Sequence, residues 1–287
     1  MENMFANFNH VFTQEGLTAS AIMLLRNIIY NFYASSGRDL PWRRTDNPYC
    51  ILVSEIMLQQ TRVDRVIPKY ELFIKTFPDI SSLAKAPTKH IIELWQGLGY
   101  NRRALSLHKC ARIIVNEFQA EVPSHEEDLR QLPGIGKATA SAIASFAFNK
   151  PTVFIETNIR TVFIHFFFKN DWSVQDRQLF PLIEQTLDHC NPRHWYYAIM
   201  DYGVYLKKTG NDNNRQSAHY NKQSPFQGSN RQIRGMILKY ILTHSGSSEN
   251  ELVCDVKSDY TAIKKNLIQL EKEGFIRADK GGYKIAE

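Results

Sequence analysis

The sequence predicts a mainly α-helical protein that ends in a small segment combining helices with a hairpin. Three observations carry that expectation. Apolar residues recur at intervals of three and four through the first 120 residues, as in Ile51, Leu52, Ile56, Leu58 and again in Ile91, Ile92, Leu94, Leu98, the spacing that lines one face of a helix. No strand-like alternation of useful length occurs before residue 250. A polar stretch, KKTGNDNNRQSAHYNKQSPFQGSN, breaks the apolar texture at about 205–230 and marks a domain boundary.

Along the chain, Pro41, Pro48, Pro68, Pro78, Pro87 and Pro123 fall where helices begin or connect. Leu129 and Leu132 close one helix, Pro133-Gly134-Ile135-Gly136 forms a tight turn, and KATASAIASFAF opens the next with small residues suited to close packing. The polar stretch then reads as a linker or an ordered polar loop. After it, RQIRGMILKYILTH predicts a helix, DYTAIKKNLIQLEKEGF another, and IRADKGGYKIA two short strands around Lys280, Gly281 and Gly282. Helix, helix and glycine-turned hairpin in that order resemble a winged helix.

With 43% hydrophobic and 22% charged residues over 287 positions, the composition is that of an ordinary globular protein with room for two domains and a third small one. There is no run of 18 apolar residues, and MENMFANFNHVF has no basic leader ahead of an apolar stretch, so the expectation is a cytoplasmic or nucleoid-associated protein without a membrane partner. Cys50, Cys110, Cys190 and Cys254 lie too far apart for the close ligand spacing of a zinc or iron-sulfur site and are expected to be reduced, buried small residues. The net charge of +6 is concentrated: residues 202–228 carry Lys207, Lys208, Arg215 and Lys222 against Asp212. A basic segment between near-neutral domains fits a polyanion partner, and it equally fits a solvated linker.

In LPGIGKATA (132–140) the two glycines permit positive backbone torsions and leave no side chain in the way, so main-chain N–H groups can converge at a helix N-terminus. Such a turn binds a phosphate without reading a base. It is not a nucleotide loop, which needs more glycines and a Lys-Ser/Thr pair. The plain alternative is a helical turn capped by glycine.

Taken with LPWRRTDNPYCILVSEIMLQQTRVDRVIPKY upstream and FIETNIRTV downstream, LPGIGKATA resembles the signature of the helix-hairpin-helix (HhH-GPD) base-excision DNA glycosylases. VSEIMLQQT (53–61), GLGYNRRA (97–104) and AIMDYG (198–203) are most similar to the MutY-type adenine glycosylases, over roughly residues 38–206. The resemblance implies a two-lobed helical fold: a glycosylase domain at 1–206, with a six-helix lobe at 38–125 and a second lobe formed by 1–37 with 126–206, then a basic polar linker at 207–228 and a winged-helix-like domain at 229–287. The implied partner is double-stranded DNA carrying a mismatch or lesion, bound by a monomer.

Cleaving an N-glycosidic bond to a purine requires a proton on the departing base. The resemblance gives that role to Glu55, which VSEIML places among apolar residues where an unpaired charge would be costly. A second acid would stabilise the sugar cation, and the family places an aspartate where FIETN has Glu156, followed by Asn158, which is implied to contact DNA. Leu40, Trp42, Arg43, Leu58 and Val63 match positions lining the adenine pocket, with Trp42 an apolar wall and Arg43 a fork of donors; Tyr197 belongs to the same implied pocket, standing where the family has the Gln or Glu that reads the adenine edge. Gln59, Gln60 and Tyr100 match residues that plug the duplex or contact the opposite base, which as a bare pattern is a solvated glutamine pair and a core aromatic. Gly134, Gly136 and Lys137 are implied to contact phosphate. In the C-terminal segment Lys264, Lys265 and Lys280 would meet phosphates if the second helix faces DNA; the other reading is a protein-docking module.

The departures narrow the expectation. Many relatives carry four cysteines for a [4Fe-4S] cluster after the MDxG motif; here the first of these positions is Lys207 and the others have no counterpart, so no cofactor is expected. Relatives usually end in a NUDIX-like domain, in whose place stands the winged-helix-like segment. Bifunctional relatives use a lysine at the position of Ala138 to attack the sugar, so base excision without efficient strand cleavage is expected. The leading expectation is excision of adenine opposite guanine or 8-oxoguanine; the alternatives are a mismatch thymine or uracil glycosylase, and a non-catalytic DNA-binding protein on the same scaffold.

Overall fold

The computed structural model describes residues 2–168, 171–279 and 281–287. The helices are α1 (Glu2–Glu15), α2 (Ala19–Ser36), α3 (Pro48–Leu58), α4 (Val63–Thr76), α5 (Ile80–Lys85), α6 (Thr88–Trp95), α7 (Arg102–Glu117), α8 (Glu126–Gln131), α9 (Lys137–Phe148), α10 (Thr157–Phe167), α11 (Asp176–Thr186), α12 (Pro192–Lys208), α13 (Asn230–Thr243), α14 (Glu249–Val256) and α15 (Tyr260–Lys272). Strands β1 (Ile276–Asp279) and β2 (Gly282–Ile285) follow as an antiparallel hairpin pairing Ile276 with Ile285. The protein is mainly α-helical, and among the described residues no helix is long and apolar enough to cross a membrane.

Local chemistry sets the helix ends. Asn47 accepts from the amides of Tyr49 and Cys50, and Pro48 occupies the first turn of α3, where no N–H is needed. Asp79 and Ser82 cap α5 reciprocally. Asn149 ends α9 in the left-handed conformation, a role short polar residues tolerate.

The chain divides into two compact units, Met1–Asp46 with Gly136–Lys222 and Asn47–Ile135 with Gln223–Glu287. In the first, buried Phe8, Ile28, Ile29, Phe163, Trp195 and Tyr196 form much of the core, and Phe8 meets Phe166 edge-on at 5.3 Å. Part of the polar stretch belongs to this core: α12 runs to Lys208, a 3₁₀ turn spans Asn213–Gln216, Asn214 and Ser217 are buried, and Ser217 bridges Val174. The stretch is therefore not wholly a linker, because its asparagines and serine find backbone partners that a compositional count cannot anticipate.

In the second unit, α3 is buried along nearly its whole length through Tyr49, Ile51, Leu52, Val53, Ser54, Ile56 and Met57. The C-terminal segment has its own apolar cluster, with Ile237, Ile241, Leu252, Ile263, Leu267 and Phe275 fully or almost fully buried, and Ile92 of α6 and Leu105 of α7 belong to it. Glu273 fastens this packing by accepting from Arg102 of α7 and from Arg234 of α13, each at 2.5 Å. Three helices precede the hairpin rather than two. The extra one, α14, is set by the Ser248/Glu251 capping box and stopped by Lys257 in the left-handed conformation, signals too local to show in apolar periodicity.

Candidate functional site

In the second unit Glu55 is the acid of α3 and is half-buried, between the buried Ser54 and Ile56. Helix α3 ends at Leu58, and the chain turns through Gln59 and Gln60, the latter at φ 54°. A second loop runs through Gly97 and Gly99 to Tyr100, which also takes a left-handed torsion at φ 47°. Arg103, 8% exposed, staples the two loops. Its Nη1 donates to the carbonyls of Ile56, Met57 and Gln59 at 2.9, 2.8 and 2.6 Å, and its Nη2 to Thr61 Oγ1 and the Gly99 carbonyl at 2.9 and 3.0 Å. The guanidinium thereby satisfies the carbonyls that the end of α3 leaves open. Burial lowers the Arg103 pKa to about 10, which leaves it charged at neutral pH.

Gln59 donates through Nε2 to the Gly134 carbonyl at 3.3 Å, so the hairpin glycine and the glutamine loop are neighbours. Gly134 sits at φ 81°, and a Cβ there would stand 2.9 Å from the Ser106 Cβ, so both torsion and space require glycine. Leu58 and Val63 are half-buried on either side of the glutamine loop. Lys264 and Lys265 are exposed on α15; Lys280 lies outside the described residues.

In the first unit Gly136 caps α9, and the exposed Lys137 places Nζ 5.7 Å from the Phe180 ring centroid. Glu156 is the N-cap of α10: its Oε1 accepts from the amides of Asn158 and Ile159 at 2.8 and 2.9 Å, and its Oε2 from Asn158 Nδ2 at 3.2 Å. The Asn158 Oδ1 in turn accepts from Lys207 Nζ at 2.8 Å. Gly203 of α12 makes this approach feasible, since a Cβ there would lie 2.5 Å from the Asn158 carbonyl oxygen. Burial lowers the Lys207 pKa, and the nearby Glu156 charge opposes that shift.

Leu40 and Trp42 are buried at a 3₁₀ turn, Pro41–Arg43. The donors expected of Arg43 are spent within the protein: Nη1 and Nη2 bind the two Asp201 carboxylate oxygens at 2.9 and 2.8 Å, while Nε has no partner among the described residues. Asp201 also accepts from the Arg38 backbone at 2.6 Å and from Arg38 Nε at 2.7 Å. Burial alone would raise the Asp201 pKa, but the bonds from Arg43 and Arg38 outweigh it and hold the carboxyl below its ordinary range. The Arg43 guanidinium lies 4.5 Å from the ring centroid of Tyr197, which stacks on Phe146 at 4.8 Å.

Lys207 is turned to Asn158. Of the four cysteines expected to be buried, Cys110 is, whereas Cys50 is half-buried and Cys190 and Cys254 are exposed, because none of these three lies on a core-facing apolar position. Sequence reasoning named neither Arg103 nor Asp201, although both lie inside segments that carry the resemblance, and it read Lys207 as a charge of the basic segment and as a missing ligand. Their roles depend on partners 40 to 160 positions away, which no local spacing encodes.

Residues 53–184 match the HhH-GPD superfamily of base excision DNA repair proteins, and the chain carries that domain. It is 39% identical over 183 residues to the adenine DNA glycosylase of Buchnera aphidicola subsp. Baizongia pistaciae, covering 62% of this chain and 51% of the relative. It is 43% identical over 135 residues to that of Mycolicibacterium smegmatis, covering 47% and 46%. The chain thus spans about half the length of these relatives. Among solved structures, a thermostable thymine-DNA glycosylase is similar at a TM-score of 0.58 and 27% identity, covering 64% of this chain and 86% of that one.

Proposed function

We propose that this chain is a DNA repair glycosylase that hydrolyses the N-glycosidic bond of adenine mispaired with guanine or 8-oxoguanine in double-stranded DNA. The observation that carries the proposal is Glu55: a half-buried acid on the otherwise buried helix α3, inside the segment shared with relatives named adenine DNA glycosylase. In this reading Glu55 protonates the departing base, which would otherwise leave as a poor anion. Glu156 stabilises the positive charge that develops on the sugar, its carboxylate oriented by two backbone amides and Asn158. Gln59, Gln60 and Tyr100 contact the strand left with a gap, and the turn at Gly134, Gly136 and Lys137 holds phosphate. Lys264 and Lys265 add phosphate contacts from α15. The exposed Ala138 has no amine to form a Schiff base, so excision proceeds without efficient strand cleavage, and no cofactor takes part.

Release of free base from A:G, A:8-oxoguanine, T:G and U:G duplexes tests the proposal. Adenine release from the first two, lost in Glu55→Gln with binding retained, is the expected result; its absence in the wild-type protein would sink it. The likeness to a thymine-DNA glycosylase, together with Tyr197 at a base-reading position, favours one second reading, excision of thymine or uracil opposite guanine, which the other two duplexes detect.

A further inference from the structure

Helix α2 turns an uncharged face to solvent. Ser20, Met23, Asn27, Asn31 and Ala34 are exposed and follow one another at intervals of three and four, which places them on one stripe of the helix. The one charged residue among its 18, Arg26, is spent within the protein: Nε donates to the Thr186 carbonyl at 3.0 Å and Nη2 to the Leu187 carbonyl at 2.5 Å, closing the C-terminal end of α11. A solvated helix face is ordinarily rich in lysine and glutamate, which also favour the helix more than serine and asparagine do.

The stripe runs into an open cleft of about 610 Å³, lined from α2 by Tyr30, Asn31 and Tyr33 and from the other side by Asp188, Asn191 and His194. Tyr30 and His194 stack with centroids 5.6 Å apart, and Tyr33 meets His194 edge-on at 4.9 Å, so the three rings are connected. Asp188 is the acid of the cleft, and among the described residues neither lysine nor arginine lines it. Its carboxylate is fixed in advance: Oδ2 accepts from the Tyr30 hydroxyl at 2.7 Å, and Oδ1 from the amides of Cys190 and Asn191 at 3.1 and 3.3 Å. Burial would raise the Asp188 pKa, but the bonds from Tyr30, Asn191 and Cys190 outweigh it and hold the carboxyl below its ordinary range. A carboxylate offers about four lone-pair sites, so Oδ2 keeps one as a preoriented acceptor for a charged donor. Depletion of charge around an exposed methionine, beside a group of aromatics, is the composition found at the centre of protein interfaces.

We propose that α2 and this cleft form a docking surface for a segment of another protein that inserts an arginine or lysine side chain beside Asp188. The acid pairs with the cation, the aromatic rings attract the same charge, and the uncharged stripe takes the residues to one side of it. A free small cation would use the cleft alone and leave the stripe idle.

The test reads binding of the full chain, freed of nucleic acid, to immobilised nonapeptides with arginine, lysine, citrulline, norleucine or glutamate at the centre and mixtures elsewhere. Four extended residues span about 13 Å, enough to reach from Asn31 to Met23, about 12 Å along the helix. Arginine and lysine peptides should bind on the order of tenfold better than citrulline and norleucine peptides, the scale of one charge-assisted hydrogen bond, with glutamate weakest. Asn31→Lys, which puts a cation in the cleft, and Asp188→Asn should each erase the preference for arginine over citrulline. Because Asn31 is exposed, its substitution decides the matter even where Asp188→Asn loosens the loop between α11 and α12. Met23→Lys should weaken the arginine peptides several-fold, and free arginine amide should compete about tenfold less well than an arginine peptide. Equal binding of arginine and citrulline peptides, a preference that survives Asn31→Lys, or no effect of Met23→Lys would overturn the proposal. So would arginine amide competing as well as the peptide, which would make the cleft a site for a small cation.

Discussion

Lys207 and Glu156 grip opposite ends of one amide: Asn158 accepts from the lysine at 2.8 Å and donates to the carboxylate at 3.2 Å. The lysine thus orients Asn158, and Asn158 orients the acid. Lys207→Met should lower the single-turnover rate of base release by about tenfold, the effect of a misplaced catalytic group, with duplex affinity unchanged. An affinity loss at constant rate would make Lys207 a phosphate contact instead.

Glu156 has a structural duty as helix cap and a proposed chemical one, and a single substitution separates them. Glutamine retains an oxygen for the amides of Asn158 and Ile159, so Glu156→Gln should cost no more than about 1 kcal/mol in urea denaturation. Loss of the charge should slow excision by on the order of a hundredfold or more. A slow variant that is also grossly unstable would show that the cap, and not the charge, is what the site needs.

Asp201 is 1% exposed in its side chain and carries the bonds of both Arg43 and Arg38. Asp201→Asn leaves a buried guanidinium uncompensated and should destabilise the first unit by about 3–5 kcal/mol, read by chemical denaturation. The sign with pH follows from the lowered pKa: the pair's contribution is complete above the ordinary carboxylate range and is lost as pH falls through the depressed value.

Glu273 gives a more local acid response. Burial would raise its pKa, but the bonds from Arg102, Gln269 and Arg234 bring it down to about 2 from the ordinary 4.5. Its stabilisation is full above pH 4.5 and disappears as pH falls toward 2. Cleavage by pepsin within 223–287, corrected against an unstructured control peptide, should rise over that interval, and Glu273→Gln should be cleaved more readily by trypsin at pH 7 with a flatter acid response to pepsin.

What could be read in advance divides by the range of the interaction. Helix spacing, the polar break and the terminal hairpin are local, and they were legible in Ile51 to Leu58, in 205–230 and in Lys280 to Gly282. Helix α14 was missed because a capping box on an eight-residue helix leaves too few apolar positions to form a pattern. Glu55, Glu156 and Tyr100 came from the resemblance, since a lone acid or tyrosine has no periodic signature. The commitment of Arg43 to Asp201, the Lys207 relay and the bond from Arg231 to the Tyr100 hydroxyl join residues far apart in the chain, and only the folded molecule brings their charges within reach.

The Arg103 staple has a dynamic corollary. One guanidinium binds both segments, with four hydrogen bonds to Ile56, Met57, Gln59 and Thr61 and one to the Gly99 carbonyl, so displacing it releases the two together. The backbone amides of 59–61 and 97–101 should then exchange with deuterium at a common opening free energy, as one cooperative unit. Arg103→Lys, which keeps a cation but cannot span both loops, should uncouple them into two independently opening segments.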